Sequence, residues 1–391
     1  MGLEIGMAVE KIDFREGKSL IGYPHPEKRK NIGTKEPLLA KALTFKFDEK
    51  VVLTLVTLDL IGLGYRFIDK VRKKVPNEII VACSHSHSSS IAGVAEDSSE
   101  IFENDTAFSE AVLNTIVKAV KASLHNFVKV KAGAGKGSAD IGHCRRVVTN
   151  GVCVNAWTDV EKKHKGPTDK EVGVVKFENE KGETLAVLVN YSCHPVTMGP
   201  ANLYASPDFA GYLRDYVQKN MKGVNVFYTT GAGADTNPYD CLSADFAVAQ
   251  KAGETVGKEV LEVLKAIKTR EVEKVKFSRN EVIFKVRKDL SKDNKMRFKE
   301  LGESISTEVD MLNIDDVLLV TLPGEPLVEI GLKIKKMSKY KNTFALGYTN
   351  DYLGYLCPDS SIPEGGYEVT GGALSHDVER PILECVAKNI P

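Results

Sequence analysis

Apolar residues run almost unbroken through VVLTLVTLDLIGLG, residues 51–64, and again through NEIIVAC, residues 77–83. Short β-branched and aliphatic runs of this kind predict strands buried on both faces. Between them, YRFIDKVRKKV places its apolar residues at helical spacing. The same alternation recurs downstream. AFSEAVLNTIVKAVKASLHNF (107–127) and DFAVAQKAGETVGKEVLEVLKAIK (245–268) each predict an amphipathic helix, the second interrupted by Gly253 and Gly257. VKVKAGAGKG, EVGVVKFEN and TLAVLVNYSCH predict a β-rich middle, with ENEKGET as the hairpin loop between the last two. DFAGYLRDYVQKN reads as a helix and VNVFYTT as a strand. VEKVKFSRNEVIFKVRKD alternates as strands, and DDVLLVTLPGEPLVEIGLKIKKM reads as strand, tight turn and helix. A last strand, NTFALGYTNDYLGYL, runs into an aromatic-rich loop. Strands and helices interleave, but several strands follow one another directly. This pattern predicts an α/β fold with a mixed β-sheet core and packed helices, as one domain over residues 1–391.

Charge and cysteine content narrow the classes. Lys+Arg and Asp+Glu both number 53, so the net charge is zero. That balance gives no case for nucleic acid or an anionic membrane as partner of the whole surface, and leaves only local patches. The seven cysteines, at 83, 144, 153, 193, 241, 357 and 385, form no CxxC pair. They read as reduced thiols of a cytoplasmic protein. The opening MGLEIGMAVEKIDF has no apolar core of a signal peptide, and no run reaches the ~20 residues of a membrane helix.

Strong ligand types fall at three predicted strand ends, where α/β sheets gather functional groups. His85 and His87 follow EIIVAC, His194 follows LAVLVNYSC, and Glu325 follows DVLLVTLPG. Imidazoles and a carboxylate suit a catalytic zinc that keeps one position for water. Each residue also has an ordinary reading, as a hydrogen-bonded polar side chain at a strand end or, for Glu325, as a carboxylate near a helix N-terminus. The spacing makes no closed signature such as HExxH. In an extended segment His85 and His87 share a side, so the simplest reading makes both of them ligands.

Eight segments in register carry a resemblance. VEKIDFREGKSLIGYP is similar to a strand with Asp-Ile-Thr-Pro followed by Gly-Tyr, and VVLTLVTLDLIGL to the strand after it, ending in Asp. SHSHSSS is similar to Thr-His-Thr-His-Ser-Gly-Pro, and GHCRRV to an Asn-Arg-Ser or Asn-Arg-Arg turn. NYSCHPVTMG, YASPDFAGY, TLPGEPLVEIG and GYTNDYLGYL with GGYE match Asn-Phe-Ser-Cys-His-Pro-Thr, Ser-Ala-Asp-Phe-Pro-Gly-Tyr, a Pro-Gly-Glu turn, and Gly-Tyr-x-Asn-x-Tyr-x-x-Tyr with Tyr-Glu. Over nearly its whole length the chain resembles the N-terminal zinc amidase domain of the neutral/alkaline, non-lysosomal ceramidase family. The resemblance implies one Zn(2+) per chain, held by His85, His194, Glu325 and Tyr355. It implies that His87 faces the substrate and that Tyr367 donates a hydrogen bond to the tetrahedral intermediate. Arg145, or Arg146 if the register slips by one, would bind the substrate's polar head or developing charge. Asp208 would support the His194 loop. The implied reaction is hydrolysis of an N-acyl amide bond by zinc-activated water.

Four departures bear on the substrate. The family loop Gly-Asp-x-Ser-Pro-Asn reads GAGADTNPYD, with Asp235 matching the Asp and Asn237 standing where the Ser would be. The Gly-Pro of the His loop is replaced by serines. The chain ends soon after GGYE, without the family's C-terminal β-sandwich, and it opens without an export signal. The expected activity is therefore a ceramidase-like zinc hydrolase whose small-molecule or lipid-like substrate is not ceramide. Two other readings stand beside it. One is a zinc-dependent carbohydrate hydrolase or lyase using Arg145, His87 and the GYTNDYLGY aromatics. The other is a catalytically inactive metal-binding homologue.

Overall fold

The two buried runs form neighbouring strands at one edge of an eight-stranded mixed sheet in a computed structural model that describes residues 2–93, 105–288 and 302–391. Its strands are β1 (Leu3–Lys11), β2 (Leu39–Phe47), β3 (Lys50–Leu58), β4 (Ile79–Cys83), β5 (Val128–Ser138), β8 (Glu171–Asn179), β9 (Thr184–Tyr191) and β10 (Asn225–Thr230). β6 (Arg146–Thr149) and β7 (Val152–Asn155) lie outside it as a separate hairpin. The order across the large sheet is β10-β9-β8-β5-β1-β2-β3-β4. Neighbours are antiparallel except at the two edges, where β3 pairs with β4 and β9 with β10 in parallel.

Parallel neighbours require a crossover, and each edge has one. Helix α1 (Phe67–Arg72) joins β3 to β4, and α3 (Phe209–Asn220) joins β9 to β10. A second sheet of four strands, β11 (Val275–Ser278), β12 (Met311–Ile314), β13 (Val317–Thr321) and β14 (Asn342–Leu346), repeats the device. Its parallel pair β13 and β14 is joined by α5 (Val328–Met337). Helix α2 (Thr106–Ser123) presses Phe108, Val112, Ile116 and Val120 onto one part of the large sheet. Helices α3 and α4 (Phe246–Ala266) pack together on another. Two short C-terminal helices, α6 (Tyr367–Gly371) and α7 (Glu379–Asn389), complete the described elements used below.

The sheet curls until its two edges approach, β10 packing against β3 and β4. Residues 347–350 bridge them: Gly347 N donates to Thr230 O at 2.9 Å, and Cys83 N donates to Tyr348 O at 3.0 Å. The ends of β4, β9 and β13 are thereby brought to one place. The mixed sheet and packed helices agree with the fold class expected from the pattern. The long apolar run 51–64 is not one strand, because β3 stops at Leu58. There Asp59 turns inward and its carboxylate accepts two bonds from Arg214 of α3, both 2.7 Å.

Candidate metal centre

The backbone of the His85 loop is unusual. His85 has φ 66°, in the left-handed region that non-glycine residues rarely occupy. Its N–H donates to Leu60 O at 2.9 Å, and its ring lies flat on Tyr348 with centroids 4.0 Å apart. The ring Nδ1–H donates to Ile61 O at 2.6 Å. In the neutral ring that bond fixes the tautomer and leaves the lone pair on Nε2, toward the interior. The serines around it are braces. Ser86 Oγ donates to Ser206 O, Ser89 Oγ donates to Ser86 O, and Ser88 Oγ accepts from Asn202 Nδ2.

His194 enters from the end of β9, its N–H bound to Thr236 O at 2.8 Å. Asp208, the N-cap of α3, holds the chain beyond it. Its carboxylate accepts from Met198 N at 3.0 Å, from Phe209 N at 2.6 Å and from the Thr197 hydroxyl. Glu325 enters between β13 and α5. Its Oε1 accepts from the Tyr352 hydroxyl at 2.6 Å, whereas its buried Oε2 has no hydrogen-bond partner.

These groups converge. His87 Nε2 lies 3.3 Å from His85 Nε2 and 3.0 Å from His194 Nε2. Glu325 Oε2 lies 3.3 Å from His85 Nε2 and 4.0 Å from His194 Nε2. All four side chains are buried. Burial, with His85 and nearby arginines, pushes the His87 and His194 pKa values well below the usual histidine value, so both are neutral. Burial opposes charge on Glu325 too, yet His85, the Tyr352 hydroxyl and Arg145 hold its carboxyl below the ordinary glutamate range. A cation placed among the three Nε2 atoms and Glu325 Oε2 would satisfy imidazole lone pairs and the carboxylate together. The donor set, nitrogen with one carboxylate, fits zinc. The Nε2 atoms of His85, His87 and His194 lie close enough together to hold a metal ion. The two histidines that the resemblance separates thus present their Nε2 atoms to the same point.

A cavity of about 290 Å³ opens beside this cluster, walled by His87, Glu325, Tyr23, Tyr352, Tyr355 and Tyr367 among others. Arg145 lies behind it, buried. It donates to the Tyr355 hydroxyl at 3.2 Å, to Asn237 Oδ1 at 3.2 Å and to Glu368 Oε1 at 2.7 Å. Arg146 turns the other way, to Glu368 Oε2, Glu364 and the carbonyls of Ser361 and Gly365. Of the two arginines, Arg145 is the one directed at the site. Asn237 does not line the cavity; its Nδ2 donates to Trp157 O at 2.9 Å, so its amide ties Arg145 to the Trp157 backbone. Asp235 accepts Arg145 N through its carbonyl and Val328 N through its carboxylate, whose pKa burial raises to about 7.

Several neighbours escaped the sequence reading. Tyr352 lies in the quoted aromatic loop, three residues before the Tyr355 singled out. Tyr348, in the same loop, supplies the face on which His85 lies. Tyr23 packs edge-on to His87, with ring centroids 4.9 Å apart. Buried Arg29 donates to His87 O at 3.2 Å and to three other carbonyls, Leu20, Pro200 and Asn202. Arg29 carried no local signal, because its partners are as far as 173 residues away.

No family model and no curated protein sequence matches this chain. Solved structures do. One described as ceramidase complexed with C2 superposes with a TM-score of 0.79 at 14% identity, over 99% of this chain and 74% of that one. Neutral ceramidase from Pseudomonas aeruginosa superposes with a TM-score of 0.77 at 14% identity, over the same shares of the two chains. At that identity the likeness is one of fold, and a fold alone does not fix an activity. What the chain has in common with these proteins, along almost all of its described length, is the neutral ceramidase fold.

Proposed function

We propose that this protein is a zinc-dependent hydrolase of N-acyl amide bonds, acting on a small or lipid-like substrate other than ceramide. One observation carries the reading: three imidazole Nε2 atoms and an unpartnered carboxylate oxygen converge at the wall of a cavity. His85, His194 and Glu325 would hold the metal, with Tyr355 beside them. Zinc in such a site would supply a bound water with its pKa lowered to about 7 and an electrophile for a carbonyl oxygen.

The chain's own groups divide the remaining work. Ile61 O and Tyr352 orient His85 and Glu325 from behind, as outer partners of metal ligands do. His87, neutral and at the cavity wall, takes a proton at Nε2 and returns it to the leaving nitrogen. Arg145 polarises the Tyr355 hydroxyl, which faces the cavity and can donate to a developing oxyanion. Tyr367, at the cavity edge, donates to the same oxygen or to the acyl group. Asn237 offers no nucleophile, and its amide is already engaged at both ends. That supports direct attack by water and a substrate different from that of enzymes with a Ser at this place.

The test combines metal analysis with a substrate panel. About one zinc per chain is expected, together with amine release from N-acyl amides that stops on chelation. A protein that retains no metal, and whose His85→Ala form binds zinc no more weakly, would refute the reading. Retained zinc with new reducing ends from sugars, and no amine release, would replace it with the carbohydrate reading.

A further inference from the structure

The hairpin β6–β7 presents an unusual surface. Its turn, Asn150-Gly151, has φ 52° and 78°, the paired positive values of a tight hairpin turn. In its register Arg146 faces Asn155 and Val148 faces Cys153, while Val147 faces Val154 and Thr149 faces Val152. Strand alternation therefore puts Arg146, Val148, Cys153 and Asn155 on one side, where Arg146 and Asn155 meet Glu368. The outer side is Val147, Thr149, Val152 and Val154. A solvated strand face is ordinarily polar; this one has no charged side chain. Val152 is 61% exposed and Val154 67%.

Further exposed apolar side chains follow the hairpin in the chain. Val160 is 66% exposed and Trp157 41%. Of the fourteen exposed large hydrophobic side chains among the described residues, five lie within 148–160. A sixth, Tyr367, meets Trp157 edge-on with centroids 5.2 Å apart and also walls the cavity. The apolar surface thus reaches the mouth of the candidate site. Lys162, Lys163 and Lys165 follow directly. Against them stand Glu161, paired with Lys163, and Asp140, 3.9 Å from Lys162. Asp159 is buried, its carboxylate taken by the amides of Lys163 and His164.

We infer that this hairpin, with Trp157, Val160 and the following lysines, docks on a lipid surface bearing anionic headgroups and sets the cavity mouth against it. Four observations select that occupant. A narrow finger of valines suits insertion between headgroups, and an indole at its base suits the interfacial zone. Lysines at the margin can bury their stems and keep their ammonium groups among phosphates. Leaving out Val148, which lies on the other face of the hairpin, Val152, Val154, Trp157, Val160 and Tyr367 expose on the order of 500 Å², enough for a functional patch but below the ≈ 800 Å² per partner of a stable protein interface. The surface is also continuous with the cavity. This inference does not depend on the hydrolase reading.

Trp157 is the only tryptophan, so native emission reports on the surface directly. Vesicles of equal parts phosphatidylglycerol and phosphatidylcholine should shift that emission to the blue and sediment the protein. Raising the salt should weaken the effect. The double substitution Val152→Ser, Val154→Ser should reduce binding at least tenfold while leaving the thermal midpoint unchanged. Absence of binding to these vesicles would overturn the inference. So would equal binding to phosphatidylcholine alone, equal binding by the double variant, or a lipid-free blue shift that grows with protein concentration and marks a second copy as the occupant.

Discussion

Glu325 carries two oxygens in different situations. Oε1 is held by Tyr352, and Oε2 faces the imidazoles with no donor of its own. If Oε2 is a metal ligand, Tyr352 acts through Oε1, fixing the carboxylate's rotation. Tyr352→Phe should then weaken zinc about 10–100-fold, measured by competition with a chelator, without changing the fold. Glu325→Gln should weaken it more, since a ligand charge is lost. His87 is the informative contrast. As a proton carrier its removal in His87→Ala should lower turnover about 10²–10⁴-fold and leave zinc affinity near that of the parent. A loss of affinity matching His85→Ala would instead make it a ligand. Gly22 bears on the same ring. It has φ +107°, and a Cβ there would lie 2.4 Å from His87 Nδ1. Gly22→Ala should therefore lower turnover by displacing His87 while zinc is retained.

At the scale of elements, the site depends on loops that follow strands, and each loop is tied down by a group from elsewhere. Asp208 is the clearest case. It caps α3 and, with the same carboxylate, fixes Thr197 and Met198 beyond His194. Asp208→Ala removes a helix cap, about 1 kcal/mol, and strands buried donors at about 1–3 kcal/mol. A loss of about 2–4 kcal/mol in denaturant titration is expected, with weaker zinc binding as the His194 loop loosens. Much of this architecture was legible. The apolar runs ending at Cys83, Tyr191 and Thr321 marked strands, and the ligand types stood at their ends, because burial on both faces writes itself into composition. The hairpin at Asn150-Gly151 was legible as well, from its turn dipeptide between valines, but went unread. The fixation of Arg145 was not legible. Its carboxylate partner, Glu368, is 223 residues away, and which of two adjacent arginines faces the site depends on that contact. The left-handed backbone at His85 was likewise beyond periodicity, since no residue pattern of a strand end announces it.

For the molecule as a whole, the most consequential buried charge is remote from the site. Lys41 on β2 lies in the core, and its Nζ donates to Val226 O of β10, 185 residues away, at 2.6 Å. This bond spans the curled sheet, from an inner strand to an edge strand. Among the described residues no carboxylate is bonded to the ammonium. Burial and the neighbouring Arg214 lower its pKa from 10.5 to about 7, against smaller opposing effects of Asp59 and Asp215. Below pH 7 both folded and unfolded chains carry the proton, and the folded state bears the full cost of a buried ammonium. Between pH 7 and about 10.5 the unfolded chain keeps a proton that the folded chain has released, so stability must rise with pH across that window. Lys41→Met should then be more stable than the parent at pH 7 by on the order of 1–3 kcal/mol, after the lost bond to Val226 O is set against the relieved charge. The difference should shrink steadily toward pH 10, and paired denaturant titrations at several pH values would measure it. A difference that stays constant over this range would show that Lys41 keeps an ordinary pKa. In that case the junction between the sheet's edges would tolerate a charge, and its closure over the ends of β4 and β9 would rest on packing alone.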